Sequence, residues 1–314
     1  MQKLKLYIAE TEDFSKSVIQ KLQQVFEIIN ANNKSLKTIF EEVDIFWFRL
    51  GYEIDDSVLS TSSKCKYIVT PVTGIDHINE NLCNELGVKV ICLRGEEDFL
   101  KQIRATAEHT MALTLALIRN IVPAVGHTHK GQWQRDKFRG TELYNKKVSI
   151  IGYGRLGQIT SEYFNTFGCF VGFYDIVDKE YPAYITMYNN LKDAVKNADI
   201  ISIHLPFNES THKLLGKEFF EWLKSTSIII NTSRGGVMDE KYLLEALQMN
   251  KIKGAALDVL NGEPNVHQNH LIEYARHNNN LIITPHIGGN TYESFEKTEQ
   301  FVADKLIKSV FPYV

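Results

Sequence analysis

The sequence predicts an α/β protein built on two doubly wound parallel sheets. Short apolar runs alternate with amphipathic helical patterns, the alternation occurs twice along the chain, and a long apolar helical segment separates the two series. Strands that alternate with helices form parallel sheets with helices packed on them. The length of 314 residues also suggests two domains, at about 150 residues per domain.

The first series contains four predicted strands and one amphipathic helix. The helical pattern covers residues 14–29, and the strands are predicted at 4–8, 45–48, 67–70 and 88–92. Residues 105–121 follow as a long, largely apolar helix. Residues 126–140 are polar and bounded by glycines, so we predict an irregular stretch in which Trp133 is the one large anchor.

The second series contains six predicted strands. They lie at 147–151, 170–174, 199–204, 227–231, 254–257 and 281–284. Helices are predicted between them, at 156–167 and in a segment opened by Asp239 and Glu240. A last helix is predicted at 292–307, and we expect it to return to the first domain.

Composition excludes several classes of partner. The net charge is −3, and acidic and basic residues are interspersed, so neither nucleic-acid nor membrane-surface binding is indicated. No uncharged apolar run approaches the roughly 18 residues of a membrane span. The four cysteines form no CxxC pair and no secretory signal is evident, which predicts a cytoplasmic protein with reduced thiols. We expect no metal site, because the histidine pairs 127/129 and 267/270 lack supporting carboxylates or cysteines.

A glycine-rich turn predicts a dinucleotide site. Gly152-Tyr153-Gly154-Arg155-Leu156-Gly157 follows a predicted strand and opens a helix, which is the context that this motif requires. The glycines permit a tight turn, close approach of a pyrophosphate and close helix–strand packing, as in a Rossmann-like domain. Asp175 ends the next strand, where a carboxylate can accept bonds from both ribose hydroxyls and repel a 2′-phosphate. The predicted cofactor is therefore NAD rather than NADP.

Three polar residues follow the ends of later strands. Arg234, Glu263 and His286 come after the strands at 227–231, 254–257 and 281–284. Ligands bind outside the carboxyl ends of the strands in open α/β sheets, so we expect these side chains to converge near the glycine turn.

The three side-chain types suit hydride transfer at a 2-hydroxy acid. An imidazole can take or give the hydroxyl proton, and a carboxylate bonded to it orients it and favours its protonated form. A guanidinium can grip a carboxylate through two hydrogen bonds and polarise the adjacent carbonyl. We predict these roles for His286, Glu263 and Arg234.

The surrounding sequences resemble a known family. The segments 231–240, 258–264 and 284–289 (NTSRGGVMDE, DVLNGEP and TPHIGG) look like signatures of the D-isomer-specific 2-hydroxyacid dehydrogenases, and of phosphoglycerate dehydrogenase-like members in particular. The stretches 74–78, 107–110 and 204–206 (GIDHI, AEHT and HLP) extend the resemblance over most of the chain.

The resemblance implies further site residues and an organisation. It implies Arg234, Glu263 and His286 as the catalytic set and the backbone N–H groups of Thr73 and Gly74 as a site for the substrate carboxylate. It places Asp258 near the nicotinamide amide, the alternative being that this residue only caps or hydrogen-bonds its turn. Further residues are predicted to contact the cofactor: Pro206, Thr211, Thr232, His286 and Gly288. It also implies a substrate domain of residues 1–104 and 286–314, an inserted NAD-binding domain of residues 105–285, and a homodimer formed through the nucleotide domain and the 105–121 helix.

Some alternatives stay open at this stage. Arg49 could bind a phosphate or second carboxylate of a substrate of the 3-phosphoglycerate type, or form a structural ion pair. The acidic segment 93–100 is longer than is usual in the family. A dinucleotide-sensing, corepressor-like interaction protein with little turnover is the main functional alternative. Formate oxidation fits less well, because the family's formate enzymes generally pair histidine with glutamine rather than with a residue such as Glu263.

Overall fold

The computed structural model describes residues 3–30 and 34–312. The chain forms two compact units, one of Met1–Ile103 with Asn290–Val314 (unit 1) and one of Arg104–Gly289 (unit 2). Each unit is built on an all-parallel sheet, so the predicted fold class is confirmed.

The strands and helices follow one another along the chain in α/β alternation. The strands are β1 (Lys5–Ile8), β2 (Glu27–Ile28), β3 (Ile45–Trp47), β4 (Tyr67–Val69), β5 (Lys89–Ile91), β6 (Lys147–Ile151), β7 (Phe170–Tyr174), β8 (Ile185–Met187), β9 (Ile200–Ile203), β10 (Ile228–Asn231), β11 (Gly254–Leu257) and β12 (Leu281–Ile283). The helices are α1 (Lys16–Val25), α2 (Leu36–Glu42), α3 (Glu80–Glu85), α4 (Glu97–Leu100), α5 (Ala105–Ile118), α6 (Ile121–Thr128), α7 (Arg155–Thr166), α8 (Leu191–Val195), α9 (Lys217–Trp222), α10 (Glu240–Gln248), α11 (His270–His277) and α12 (Tyr292–Val310).

Unit 1 contains a five-stranded sheet in the order β2-β1-β3-β4-β5. The closing helix α12 packs on this sheet and on α1, and it buries Val302, Ala303 and Leu306 in the same core as the β1 residues. The rings of Phe99 and Phe301 stack with centroids 4.0 Å apart. Burial of this apolar face holds the last helix in unit 1.

Unit 2 contains a seven-stranded sheet in the order β12-β11-β10-β9-β6-β7-β8. Strands β7 and β8 follow β6 toward one edge of the sheet. The chain then crosses to the other side of β6, where β9, β10, β11 and β12 follow in order toward the opposite edge. The strand order therefore reverses between β6 and β9, where Val148 pairs with Ile200. A reversal of this kind opens a crevice at the carboxyl ends of the strands. The predicted functional residues of the second series all follow carboxyl ends of this sheet.

Two predicted helices have different limits in the structure. The helix predicted at 14–29 ends at Val25, and residues 27–28 form the edge strand β2 beside β1 instead. The helix predicted at 105–121 ends at Ile118, because Asn120 has a φ of +54°. Asparagine tolerates this left-handed conformation, so the chain turns there and starts a separate helix, α6.

One local prediction in unit 2 was wrong, and one strand was not predicted. Residues 126–140 contain the end of α6 and a 3₁₀ turn at Arg135–Phe138, and Trp133 is 89% exposed rather than an anchor. The strand β8 was not predicted, since its three residues lie at the sheet edge and only Ile185 is buried. Short edge strands lack the continuous apolar run that identifies the central strands.

Among the described residues, no helix combines the length and apolarity needed to cross a membrane. All four cysteines are free thiols and buried. Burial raises the pKa of Cys65 to about 12 and that of Cys169 to about 11, so both thiols stay protonated and unreactive near neutral pH.

Candidate active site

The glycine turn at the end of β6 contains two glycines that the protein's own packing requires. Gly152 has a φ of +91°, and a Cβ there would lie 2.6 Å from the carbonyl oxygen of His204. A Cβ on Gly157 would lie 2.2 Å from the carbonyl oxygen of Gly152. Both distances are far shorter than a normal contact, so a larger residue would force the turn and α7 apart.

Gly154 differs, because a Cβ on it would meet no described atom within 4 Å and its φ of −76° suits any residue. The first N–H groups of α7 also receive no side-chain cap from this position. Arg155 and Leu156 are the first residues of α7 and are half-buried. Open space beside a helix N-terminus is what a pyrophosphate needs, so the turn fits a dinucleotide.

Asp175 lies beside this turn. Its carboxylate accepts hydrogen bonds from the backbone N–H groups of Tyr153 (2.7 Å) and Val177 (3.0 Å). The first of these bonds links the end of β7 directly to the glycine turn. The side chain is therefore fixed at the position from which it is predicted to select NAD.

Residues 232–236 follow β10 and form a turn that carries Arg234 (the Arg234 turn). This turn is organised by Asn231, a fully buried residue at the end of β10. The Asn231 Oδ1 accepts bonds from the N–H (3.0 Å) and the hydroxyl (2.8 Å) of Ser233, and its amide donates to the Arg234 carbonyl (3.0 Å). Arg234 Nη1 donates to the Ser233 carbonyl at 2.9 Å. The sequence predicts Asn231 only as a strand residue, although a polar residue that ends a buried run is a common turn signal.

The Arg234 turn packs against the loop that carries Glu263. A Cβ on Gly235 would lie 2.1 Å from the carbonyl carbon of Leu260 and 2.3 Å from the N of Asn261. Only glycine allows two backbone segments to approach this closely. Arg234 and Glu263 are thus held on neighbouring segments.

Glu263 and His286 form a direct pair. The Glu263 Oε1 and His286 Nδ1 atoms are 2.7 Å apart, and both side chains are partly exposed. The other Glu263 oxygen accepts a long bond of 3.4 Å from the Leu260 N–H. Because Nδ1 faces the carboxylate, Nε2 is the nitrogen that remains for an external group. The structure therefore brings the three predicted catalytic residues to adjoining segments of unit 2.

Asp258 holds the turn that presents His286. Its carboxylate is 1% exposed and accepts bonds from the Thr284 hydroxyl (2.6 Å) and from the N–H groups of Ile287 (2.9 Å) and Gly288 (2.7 Å). His109 Nε2 lies 3.2 Å from the same carboxylate and 3.0 Å from the Thr284 hydroxyl. Burial raises the pKa of Asp258, but these hydrogen bonds outweigh it and leave the pKa below its ordinary value.

Asp258 thus holds the turn at residues 284–288, and His109 has a structural hydrogen-bonding role. A carboxylate has about four lone-pair sites, and here the Thr284, Ile287 and His109 groups lie at Oδ1 while the Gly288 N–H binds Oδ2. A contact of Asp258 with the nicotinamide amide stays a prediction, whereas its bonds to the 284–288 segment are part of the structure. No sequence signal would have joined His109, on α5, to residues so far along the chain.

The remaining predicted cofactor residues contact other residues of unit 2. The Thr211 hydroxyl donates to the Pro206 carbonyl at 2.7 Å, which closes the turn after β9. The Thr232 and Thr110 hydroxyls are 2.8 Å apart. A Cβ on Gly288 would lie 2.9 Å from Asp258 Oδ2. Their contacts with the cofactor stay predictions.

The substrate residues predicted in unit 1 differ from one another. Thr73 and Gly74 lie in the turn after β4, and their N–H groups donate to no other described residue, so they stay predicted carboxylate ligands. Arg49 instead forms an ion pair of 2.5 Å with the fully buried Glu299 and stacks on Phe295, 4.0 Å from the ring centroid. The structural alternative for Arg49 is therefore the one observed within unit 1. No described group of three or more His, Cys, Asp or Glu residues could hold a metal ion.

The fold and the glycine turn define a dinucleotide-binding α/β protein. Residues 111–288 match the description "D-isomer specific 2-hydroxyacid dehydrogenase, NAD binding domain". The chain therefore belongs to the D-isomer-specific 2-hydroxyacid dehydrogenase family, as predicted, and the match to its NAD-binding domain confirms NAD as the cofactor.

Similar proteins agree with this assignment. The chain is 32% identical over 307 residues to D-3-phosphoglycerate dehydrogenase of Methanocaldococcus jannaschii, covering 96% of this chain and 57% of that protein. It is 30% identical over 275 residues to hydroxypyruvate reductase of Thermotoga maritima, covering 88% and 87% of the two chains. The structure of D-lactate dehydrogenase from Aquifex aeolicus with NAD and lactic acid matches with a TM-score of 0.84 and 25% identity, covering 98% and 95%. The chain spans only about half the length of several phosphoglycerate dehydrogenases that it matches.

The different surroundings of Gly154 and Gly157 predict opposite effects of alanine. Gly154→Ala should leave the melting temperature unchanged and weaken NADH binding about tenfold, because its methyl group enters the open space beside the turn. Gly157→Ala should lower the melting temperature, because its methyl group meets the Gly152 carbonyl. Thermal melts and NADH fluorescence titration measure both quantities. Unchanged NADH affinity in Gly154→Ala would show that the pyrophosphate lies elsewhere.

His204 predicts a loss of stability in mild acid. Its Nε2 contacts the Ser202 hydroxyl (2.8 Å), its Nδ1 is buried, and burial lowers its pKa to about 4 from an ordinary 6.5. As the pH falls, His204 takes up a proton in the unfolded chain before it does so in the folded chain. The contribution of His204 to the free energy of unfolding is complete above pH 6.5 and is therefore lost as the pH falls toward 4. Between pH 7 and 5 the wild type should lose up to about 2 kcal/mol more than His204→Asn in urea unfolding. The exposed control His267→Asn should behave as wild type; equal losses in all three proteins contradict the prediction.

Proposed function

We propose that the protein catalyses NAD-dependent hydride transfer between the nicotinamide and carbon 2 of a small D-2-hydroxy or 2-oxo acid. The observation that carries this proposal is the Glu263–His286 pair beside the Arg234 turn, within an NAD-binding domain of this family. The named relatives are all dehydrogenases or reductases of acids of this type. The interaction-protein alternative gains no support from them.

His286 acts in the proposal as the proton donor and acceptor. In the reductive direction NADH, when bound, supplies the hydride to carbon 2. His286 gives a proton from Nε2 to the carbonyl oxygen, and in the oxidative direction the same nitrogen accepts it. The Glu263 carboxylate at Nδ1 keeps the ring oriented and stabilises the protonated imidazole.

Arg234 supplies the positive charge of the site. A guanidinium binds a carboxylate through two parallel hydrogen bonds, which fixes the acid next to the imidazole and polarises its 2-oxo group. The Asn231 bonds to Ser233 and Arg234 hold the turn from which the guanidinium extends. Positioning in this way raises the rate because the reacting groups need no further ordering.

The substrate is proposed at the level of its class. The relatives act on phosphoglycerate, hydroxypyruvate and lactate by name, so a three-carbon acid is the first choice. The Arg49 guanidinium is engaged by Glu299 and Phe295, and it therefore adds no support for a phosphorylated acid.

We further propose a homodimer located in the cytoplasm. The helix α6 exposes Ile121, Val122 and Val125, and the following segment exposes Trp133. A cluster of exposed apolar side chains on a globular protein favours association with another protein surface. The four free thiols favour a reducing compartment.

Reduction of 2-oxo acids by NADH tests the proposed activity. Purified protein mixed with NADH and pyruvate, hydroxypyruvate, glyoxylate or 3-phosphohydroxypyruvate should oxidise NADH with at least one acid. The loss of absorbance of the reduced nicotinamide reports the rate. NADPH should react more slowly, because the Asp175 carboxylate repels a 2′-phosphate. Tight NADH binding without turnover of any acid contradicts the proposal.

Arg234→Ala should separate substrate chemistry from cofactor binding. We expect kcat/KM for the acid to fall by about 10²-fold or more, since a charged group that binds the reacting acid is removed. The dissociation constant of NADH should change by less than about twofold. Arg276→Ala, which removes an exposed arginine from α11, serves as the matched control. A comparable loss of NADH affinity in Arg234→Ala would assign the guanidinium to the cofactor or to the fold.

A further inference from the structure

The loop between β11 and α11 carries Glu263 and contains little regular structure. Its outer part, residues 261–269 (the Glu263 loop), is mostly exposed, and the backbone bonds within it join near neighbours, from Asn265 to Gly262, from Val266 to Pro264 and from Asn269 to Val266. Bonds of this kind shape a turn, but they do not fix its position relative to the sheet. The Glu263–His286 distance depends on that position, so other contacts must hold the loop.

Glu240 contacts both ends of this loop. It is the first residue of α10, it is half-buried, and its Oε1 accepts a bond from the N–H of Asn261 at 2.6 Å. Its Oε2 accepts a bond from the side-chain amide of Asn269 at 2.7 Å. A single carboxylate therefore joins the start and the end of the segment that carries Glu263.

The direction of these hydrogen bonds requires a carboxylate at position 240. The Asn269 Oδ1 accepts a bond from the Leu271 N–H at 2.8 Å and so caps α11. The amide nitrogen of Asn269 is then the atom that faces Glu240, and the Asn261 N–H is a donor as well. Both partners donate, and only a group with two acceptor oxygens satisfies them.

The surroundings of Glu240 do not favour its charge. Burial raises its pKa, and the nearby carboxylates of Glu263 and Asp239 add to this effect, although the bonds from Asn261 and Asn269 oppose it. Burial and neighbouring negative charges both disfavour an ionised carboxylate. A carboxylate in such a position has a specific role more often than a solvent-exposed one.

We propose that Glu240 is a positioning residue for catalysis, which holds the Glu263 loop by its two ends and so sets the hydrogen bond between Glu263 and His286. The inference rests on the proposed dehydrogenase function, because it assigns Glu240 to that same site. The Gly235 contact limits the approach of the loop to the Arg234 turn. The Glu240 bonds restrain the same loop from the side of α10. Small displacements of catalytic groups have large effects on rate, about 10²-fold for 1 Å.

Two single variants and their combination test this role. In Glu240→Gln, either the Asn261 N–H or the Asn269 side-chain amide must face the NH₂ group of the new side chain, which cannot accept a hydrogen bond. In Asn269→Asp, a second carboxylate faces Glu240. In the double variant, the glutamine introduced at position 240 accepts from the Asn261 N–H and donates to the aspartate introduced at position 269, whose other oxygen still caps α11. The double variant also restores the original charge. We expect each single variant to lower kcat about tenfold with the NADH dissociation constant unchanged, and the double variant to recover most of the wild-type rate.

A readout that does not need turnover is the Nδ1 proton signal of His286 in NMR spectra of the protein. This proton lies in the short bond to Glu263, so the signal should shift in the single variants and return in the double variant. Glu245→Gln removes a charge from the same helix and should leave both the rate and the signal unchanged. Wild-type rate and signal in Glu240→Gln, or no recovery in the double variant, would overturn the inference. A wild type that reduces no acid, but shows the expected NMR changes, would refute the proposed function and leave the positioning of the pair intact.

Discussion

The buried carboxylate of Asp258 is the constraint on which the geometry of the site depends. His286 has a φ of +55°, a left-handed conformation that costs about 1–3 kcal/mol for a residue other than glycine. Asp258 offsets this cost, because its carbonyl accepts the His286 N–H at 2.8 Å and its carboxylate binds the next two N–H groups. Without these bonds the backbone would relax, and the imidazole would turn away from Glu263.

The parallel sheet of unit 2 explains why such a constraint can form. Leu257 pairs with Ile283, so the residues that follow β11 and β12 emerge side by side at one edge. Asp258 and Thr284 then lie within hydrogen-bond distance, although they are far apart in the sequence. The same edge carries the Arg234 turn and the glycine turn. Strand order therefore determines where the site lies in unit 2. The individual side chains only refine the positions of the residues that follow the strands.

The sequence predicted the central strands well, and it located three polar residues that the structure brings to adjoining segments, for identifiable reasons. Buried parallel strands are continuous apolar runs, and the glycine turn and the Arg234, Glu263 and His286 segments each follow one of them. The edge strands β2 and β8 were missed because they are short and largely exposed. The partners of Asp258, Glu240 and His109 could not be predicted, because they depend on hydrogen bonds between distant segments, which no local pattern encodes.

The acidic residues around the site differ in how completely the protein satisfies them, and this difference explains their separate tasks. Asp258 is buried and accepts several short hydrogen bonds, so its carboxylate stays ionised and fixes the backbone of residues 287 and 288. Glu240 accepts two bonds from the ends of one loop. Among the residues that the structure describes, Glu263 accepts only a long backbone bond besides its bond to His286, and its side chain is partly exposed. A carboxylate with few other donors interacts mainly with the imidazole, so Glu263 is the one suited to the proton transfer proposed for His286.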